Sequence, residues 1–283
     1  MGYIHIDNLY KNQTILDFKE CYAMEKIHGT PTRITWSGNE KNITFHSGSE
    51  NHENFLSLFD IAFLKEKLYE MFPTSNVIIY GEAYGGKQQG MSSTYGDILK
   101  FIGFDVKLNG VWVNVPKAEK ICKSLDIEFV DYVRCSTDLD ALDFERDKFS
   151  TQAKRNGIKE DKIREGVVLK PLQEFTLSNG KRVIAKHRRD EFRETKSPRV
   201  VSKAELKLLD DAKEIVEEWV TEMRLTHVLD KLPKGINIKG TRLVISAMIE
   251  DIYREAEGEI TEGKEVERLI GIKTAEMFKQ RIN

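Results

Sequence analysis

Cysteine is scarce in this chain, and the three present, Cys21, Cys122 and Cys135, are far apart in sequence. There is no CxxC pair, no HExxH and no His/Cys cluster, which excludes the usual zinc-binding patterns and points to a reduced, cytoplasmic compartment. No apolar run approaches the ~18–20 residues of a membrane span, so no membrane partner is expected. The opening MGYIHIDNLYKNQ lacks the basic-then-apolar order of a secretory signal. Net charge is also small, at −2 from 44 Lys+Arg and 46 Asp+Glu. That balance argues against coating nucleic acid by bulk charge, but leaves room for a local basic groove. Internal repeats and low-complexity linkers are absent as well, and nothing demands an obligate protein partner.

What is there is a change of texture. The 283 residues, 40% of them hydrophobic, suffice for one large domain or a large and a small one. Before residue 200, short runs rich in Val, Ile, Phe and Tyr alternate with Gly- and Asn-containing turns: TRITW, NITFHS, NVIIYGEAYG, LKFIGFDVKLNGVWVNV, EFVDYVR, EGVVLKP and KRVIAKH. VKLNGVWV reads as a hairpin turning at Asn109-Gly110. ENFLSLFDIAFLKEKLYEMF reads as a helix with Phe55, Leu58, Phe59, Ala62 and Phe63 on one face. After Pro198 the pattern is helical. Ser202 and Glu205 form a capping box, and Leu206, Leu209, Ala212, Val216, Trp219, Val220 and Met223 recur at helical spacing. Two further helices are predicted, from Thr241 and near the C-terminal end. The fold class predicted is α+β over residues 1–200, followed by a small all-α domain over 201–283.

Within the β-rich part, EKIHGT sets Lys26 three residues before Gly29. The spacing alone decides nothing, since K-x-x-G also starts at Lys87, Lys100, Lys107 and Lys154. Four later segments add to it. YGEAYGG places Glu82 at the end of an apolar strand, and FIGFDV places Phe104 beside Asp105. Each of these is also what a turn cap or a core aromatic looks like. REGVVLKP puts Glu165 and Lys170 at the two ends of a short apolar strand. Their odd separation places them on opposite faces by alternation, unless a bend near Pro171 intervenes. RVIAKHRRDEF carries Lys186 and Arg188 at i, i+2, on one face of a strand. Two cations there repel unless an anion lies between them, which fits a phosphate site; a solvated basic edge strand is the alternative.

The ordered set K-x-H-G, G-E, F-D, E-G-V-V-L-K and K-x-R resembles the covalent nucleotidyltransferase superfamily of ATP-dependent ligases and capping enzymes. EKIHGT and EGVVLKP are most similar to the RNA ligase 2 class, over roughly residues 20–196. The resemblance implies a nucleotidyltransferase domain of ATP-grasp-like antiparallel sheets. It also implies an AMP-forming ligase that uses ATP and Mg2+ or Mn2+ to join 3′-OH and 5′-phosphate RNA ends, in a duplex or hybrid, for RNA repair. Lys26 is then the nucleophile that becomes lysyl-AMP. Glu82 binds the ribose hydroxyls and Phe104 stacks on adenine. Glu25 and Ile27 meet the adenine edge through their backbone, and His28 guides pyrophosphate. Glu165 serves the metal through water, while Lys170, Lys186 and Arg188 contact phosphate. A free lysine is almost fully protonated at neutral pH, so such chemistry needs neighbouring positive charge.

Departures are visible too. Pro31 stands where the class often has Asn, with Thr32 as a neighbouring substitute. Arg188 replaces the usual second lysine. The 5′-phosphate ligand is unassigned, with Arg33, His46, Ser47 and Arg189 as RNA-binding candidates. Lys154, Arg155, Arg193 and Lys196 are further basic candidates, and GGKQQGMSSTYG is a candidate mobile loop. The alternatives are a GTP-dependent capping guanylyltransferase, an ATP-dependent DNA ligase and an inactive RNA-binding module. The first two usually carry an OB-fold after the core, and DNA ligases usually carry K-x-D-G in place of K-x-H-G.

Overall fold

Alternating burial governs the chain up to Arg189 in the computed structural model, which describes residues 2–202, 208–233 and 235–282. Nine strands form there: β1 (Glu20–Glu25), β2 (Thr30–Ser37), β3 (Asn42–His46), β4 (Asn76–Tyr84), β5 (Lys100–Leu108), β6 (Val111–Trp112), β7 (Tyr132–Ser136), β8 (Gly166–Pro171) and β9 (Ala185–Arg188). They make two antiparallel sheets, ordered β7-β1-β8-β9 and β3-β2-β4-β5-β6. In β2, Thr30, Thr32, Ile34 and Trp36 are buried, while Pro31, Arg33, Thr35 and Ser37 point to the other face. Asn109 and Gly110 adopt φ of 48° and 82° between β5 and β6, as the hairpin turn requires.

The helices of this part are α1 (His52–Leu56), α2 (Ile61–Met71), α3 (Ser92–Tyr95), α4 (Val115–Ser124), α5 (Leu139–Arg146) and α6 (Thr151–Arg155). The single helix expected over 53–72 is two. Asp60 breaks it by accepting the Phe63 N–H, so α2 starts afresh in a new register. Leu64 and Leu68 are therefore the buried residues of α2, and Ala62 is exposed. The core against the five-stranded sheet joins Ile34, Trp36, Val77, Ile79 and Val106 to Phe55, Leu68, Ala118 and Ile121.

The chain divides into two units, Met1–Arg189 and Asp190–Asn283. The divide precedes the change of texture at Pro198. The second unit contains α7 (Ala212–Trp219), α8 (Glu222–Lys231), α9 (Thr241–Glu255) and α10 (Lys264–Ile282). Its core is built from Ile215, Trp219, Leu225, Val244, Met248, Ile252, Ile270 and Phe278. Glu205 and Leu206 lie outside the described residues. Among those described, the helix expected from Ser202 begins only after Asp211, which caps α7, and breaks at Val220 before Thr221 caps α8. No helix among the described residues is long and apolar enough to cross a membrane.

Candidate active site

Lys26 follows β1 directly. Its N–H donates to the Gly166 carbonyl (3.0 Å), tying it to the start of β8. Opposed residues of an antiparallel ladder share a face. Val168 opposes both Met24 and Lys186, Lys170 opposes Tyr22, and Gly166 opposes Arg188. Lys170, Lys186 and Arg188 therefore project from one face of the four-stranded sheet, the face that continues to Lys26.

Glu165 joins this face although alternation assigns it to the other. The break is at Gly166 (φ +149°), not near Pro171; a side chain at Gly166 would lie 2.2 Å from the His187 carbonyl oxygen. The Glu165 carboxylate, 3% exposed, accepts from Lys26 Nζ at 2.7 Å. His28 Nδ1 lies 3.7 Å from the same oxygen and Arg188 Nη1 3.9 Å from the other.

Glu82 faces this group from the second sheet. From β4 it opposes Pro31 of β2, and it accepts the Gly29 N–H. Gly29 is required here, since a Cβ would meet the Ala83 carbonyl oxygen at 2.4 Å and Glu82 Cγ at 2.9 Å. Burial, reinforced by the nearby Glu165 charge and opposed by Lys26, pushes the Glu82 carboxyl up to about 8. One lysine thus stands among two carboxylates and an arginine, with Lys186 on the same sheet face.

Residues 19–188 match the RNA ligase family. The chain belongs to that family.

Solved structures of Naegleria gruberi RNA ligase are similar in fold. One mutant with ATP and Mn gives a TM-score of 0.52 at 13% identity, covering 68% of this chain and 57% of that one. A second mutant without ligand gives 0.52 at 16% identity, covering 68% and 56%. The structure with PPi gives 0.51 at 14% identity, covering 68% and 57%. The chain thus spans somewhat over half the length of these ligases. No curated protein sequence matches it.

The remaining candidates of this RNA ligase family member are spread over both sheets and beyond them. Arg33 and His46 oppose each other across β2 and β3, and Arg33 opposes Tyr80, which opposes Asp105. Register places this row on the same face of the five-stranded sheet as Glu82. Ser47, next to His46, is buried. Burial and then Arg33 lower the His46 pKa, consistent with that neighbourhood. Thr32 cannot substitute for the missing Asn, because it is buried on the opposite face and donates to the Gly81 carbonyl.

Lys170 does not stand open to ligand in this conformation. It is 1% exposed, 2.8 Å from Asp105, and donates to the Phe104 carbonyl. Phe104 is the unpaired residue of a β-bulge, since Gly103 opposes Gly81 and Asp105 opposes Tyr80. Its ring packs edge-to-face on Tyr3 at 4.9 Å. Ile27 is a core residue. His28 donates its N–H to Tyr95 Oη, and its ring meets Gln89 in the expected loop. Arg189 turns away and donates to the Asp147 carbonyl. Lys154 and Arg155 pair with Asp161 and Asp131, while Arg193 and Lys196 belong to the second unit.

The sequence reading missed two buried networks. The Glu25 carboxylate accepts from Ser150 Oγ and from the Thr151 and Gln152 N–H groups at the start of α6, with Arg164 3.8 Å away. Asp105 is held by Lys170, Arg182 and the Tyr3 hydroxyl, and Arg182 also bonds Glu174. Burial raises the Asp105 carboxyl, but Lys170 and Arg182 outweigh it and hold it below the usual range. The available signal was a charged residue inside an apolar strand, CYAME and FIGFDV. Neither run names a partner that lies 125 or 77 positions away.

Proposed function

We propose that this chain is an ATP-dependent RNA ligase that joins a 3′-OH to a 5′-phosphate, at nicks in duplex or hybrid RNA, through lysyl-AMP and an adenylylated 5′ end. The observation that carries the reading is Lys26 bonded to Glu165, with Arg188 beside that carboxylate and Glu82 opposite, in a member of the RNA ligase family.

Lys26 Nζ attacks the α-phosphate of ATP, forming a P–N bond as the α–β P–O bond breaks and pyrophosphate leaves. Glu165 orients the amine. Lys186 and Arg188 neutralise phosphate charge, and phosphoryl transfer depends mainly on such positioning and electrostatics. Glu82, buried and protonated at neutral pH without nucleotide, is suited to hydrogen-bonding the ribose hydroxyls. Phe104 is assigned the stacking on adenine. His28, steadied by Tyr95 and Gln89, is assigned the guiding of pyrophosphate. Arg33 and His46 extend the pocket face towards RNA.

Among the described residues no three His, Cys, Asp or Glu side chains cluster as metal ligands. The Glu165 carboxylate beside Lys26 is a hard oxygen donor, and together with the substrate phosphates it would hold a Mg2+ or Mn2+ ion that keeps most of its waters. When bound, the ion supplies positive charge at the phosphates. The described residues of the second unit form helices, which favours this reading over a capping enzyme or DNA ligase with an OB-fold.

The test is sealing of a 5′-labelled nick in an RNA duplex, alongside a DNA duplex and with ATP or GTP. Sealed RNA with ATP supports the proposal. A GTP requirement, or sealing confined to DNA, overturns it.

A further inference from the structure

Cys21 and Cys135 oppose each other directly on β1 and β7. They are 114 positions apart in the chain, yet their sulfurs are 3.9 Å apart and both are free thiols. Opposed Cα atoms of an antiparallel pair lie about 4.5–5.5 Å apart. That is inside the ~4.4–6.8 Å that a disulfide spans. Closing to a bond of ~2.05 Å therefore asks for side-chain rotation, without separation of the strands.

The two thiols are not equivalent. Cys21 is fully buried on the inner strand, and Cys135 is half-buried on β7, the edge of its sheet. Their mutual contact favours the thiolate on Cys135 and, with burial, disfavours it on Cys21. Cys135 is thus the thiol that a reagent reaches, and Cys21 is the one placed to resolve the product. Cys122 is buried against Gly103 in the other sheet and takes no part.

We propose that Cys21 and Cys135 form a reversible modification site, at which a low-molecular-weight disulfide oxidises the pair to a cross-strand disulfide. Cys135 thiolate attacks one sulfur of the reagent, forming a mixed disulfide and releasing one thiolate. Cys21 gives its proton to solvent and attacks Cys135 Sγ, releasing the second. Two protein thiols are oxidised, and one reagent disulfide is reduced to two thiols. The new bond ties β1, the strand that delivers Lys26, to its edge neighbour.

The test exposes the reduced full chain to oxidised glutathione, quenches with acid, alkylates remaining thiols in denaturant and reads intact mass. Wild type is expected to lose two hydrogens, carry no glutathione and alkylate only at Cys122, and Cys122→Ser to lose two hydrogens, carry no glutathione and not alkylate at all. Cys21→Ser is expected to retain one glutathione, and Cys135→Ser to retain none. A wild-type protein that keeps a stable glutathione adduct, or alkylates at all three cysteines after exposure, overturns the proposal. So does loss of two hydrogens that survives in Cys135→Ser. The wild-type reading stands without the variants, whether or not they fold.

Discussion

Glu165 accepts a 2.7 Å hydrogen bond from Lys26 Nζ, and the residues just before them, Arg164 and Glu25, also face each other, at 3.8 Å. Two adjacent pairs from sequence positions 139 apart are thus locked together, one at the candidate site and one buried. On this account Glu165→Ala leaves the amine unaimed. Misplacing a reacting group by about 1 Å costs on the order of 100-fold in rate. Lysyl-AMP formation, followed by single-turnover label transfer from ATP, is expected to fall by about that factor or more.

The buried pair acts through position. Removing one partner of a buried ion pair typically costs about 3–5 kcal/mol. Arg164→Ala also strands the Glu145 and Phe149 carbonyls that it serves. Its urea midpoint is expected to fall accordingly. Glu25→Gln keeps most of the hydrogen bonds to Ser150 and α6. It is expected to lower kcat for lysyl-AMP formation while leaving KM for ATP nearly unchanged, the signature of a positioning residue.

Those two pairs show what was legible in the sequence and what was not. Lys26, Glu82, Glu165, Lys186 and Arg188 were candidates because five short segments, each ambiguous alone, occur in the order that the resemblance requires. The strands around them were found because Val, Ile and Phe alternate between Gly and Asn. Partners were not legible, because Ser150, the N-cap of α6, meets Glu25 from 125 positions away and Arg182 meets Asp105 from 77. Nor was the turn at Gly166, since a glycine in a strand run does not declare its φ. The helix break at Asp60 was readable in principle. Asp followed by an apolar run is a cap signal, but the apolar period continued across it.

Asp105 offers a second stability test. With Asp105 removed, Lys170 and Arg182 remain buried beside each other without their shared carboxylate. Asp105→Ala is expected to destabilise by about 3–5 kcal/mol in urea unfolding. Lys170→Met in that background is expected to recover part of the loss. A double-mutant cycle with coupling above about 1 kcal/mol is the predicted result.

Glu82 gives a pH dependence. Its folded pKa of about 8 lies above the ordinary value of 4.5, so the native state holds a proton that the unfolded state releases. Stability is then highest below about pH 4.5 for this group and falls as pH rises towards about 8, beyond which no more is lost. Glu82→Gln removes that slope. Urea midpoints across about pH 5 to about pH 8 are expected to decline more steeply in wild type than in the variant.

The most direct measurement is intact mass and gel label after incubation with α-labelled ATP and Mg2+, wild type beside Lys26→Ala. The account predicts a denaturation-resistant AMP adduct on wild type, mapped to the peptide containing Lys26, and none on the variant. Wild-type protein that is free of AMP at the start and takes up none, or an adduct that persists in Lys26→Ala, would contradict it.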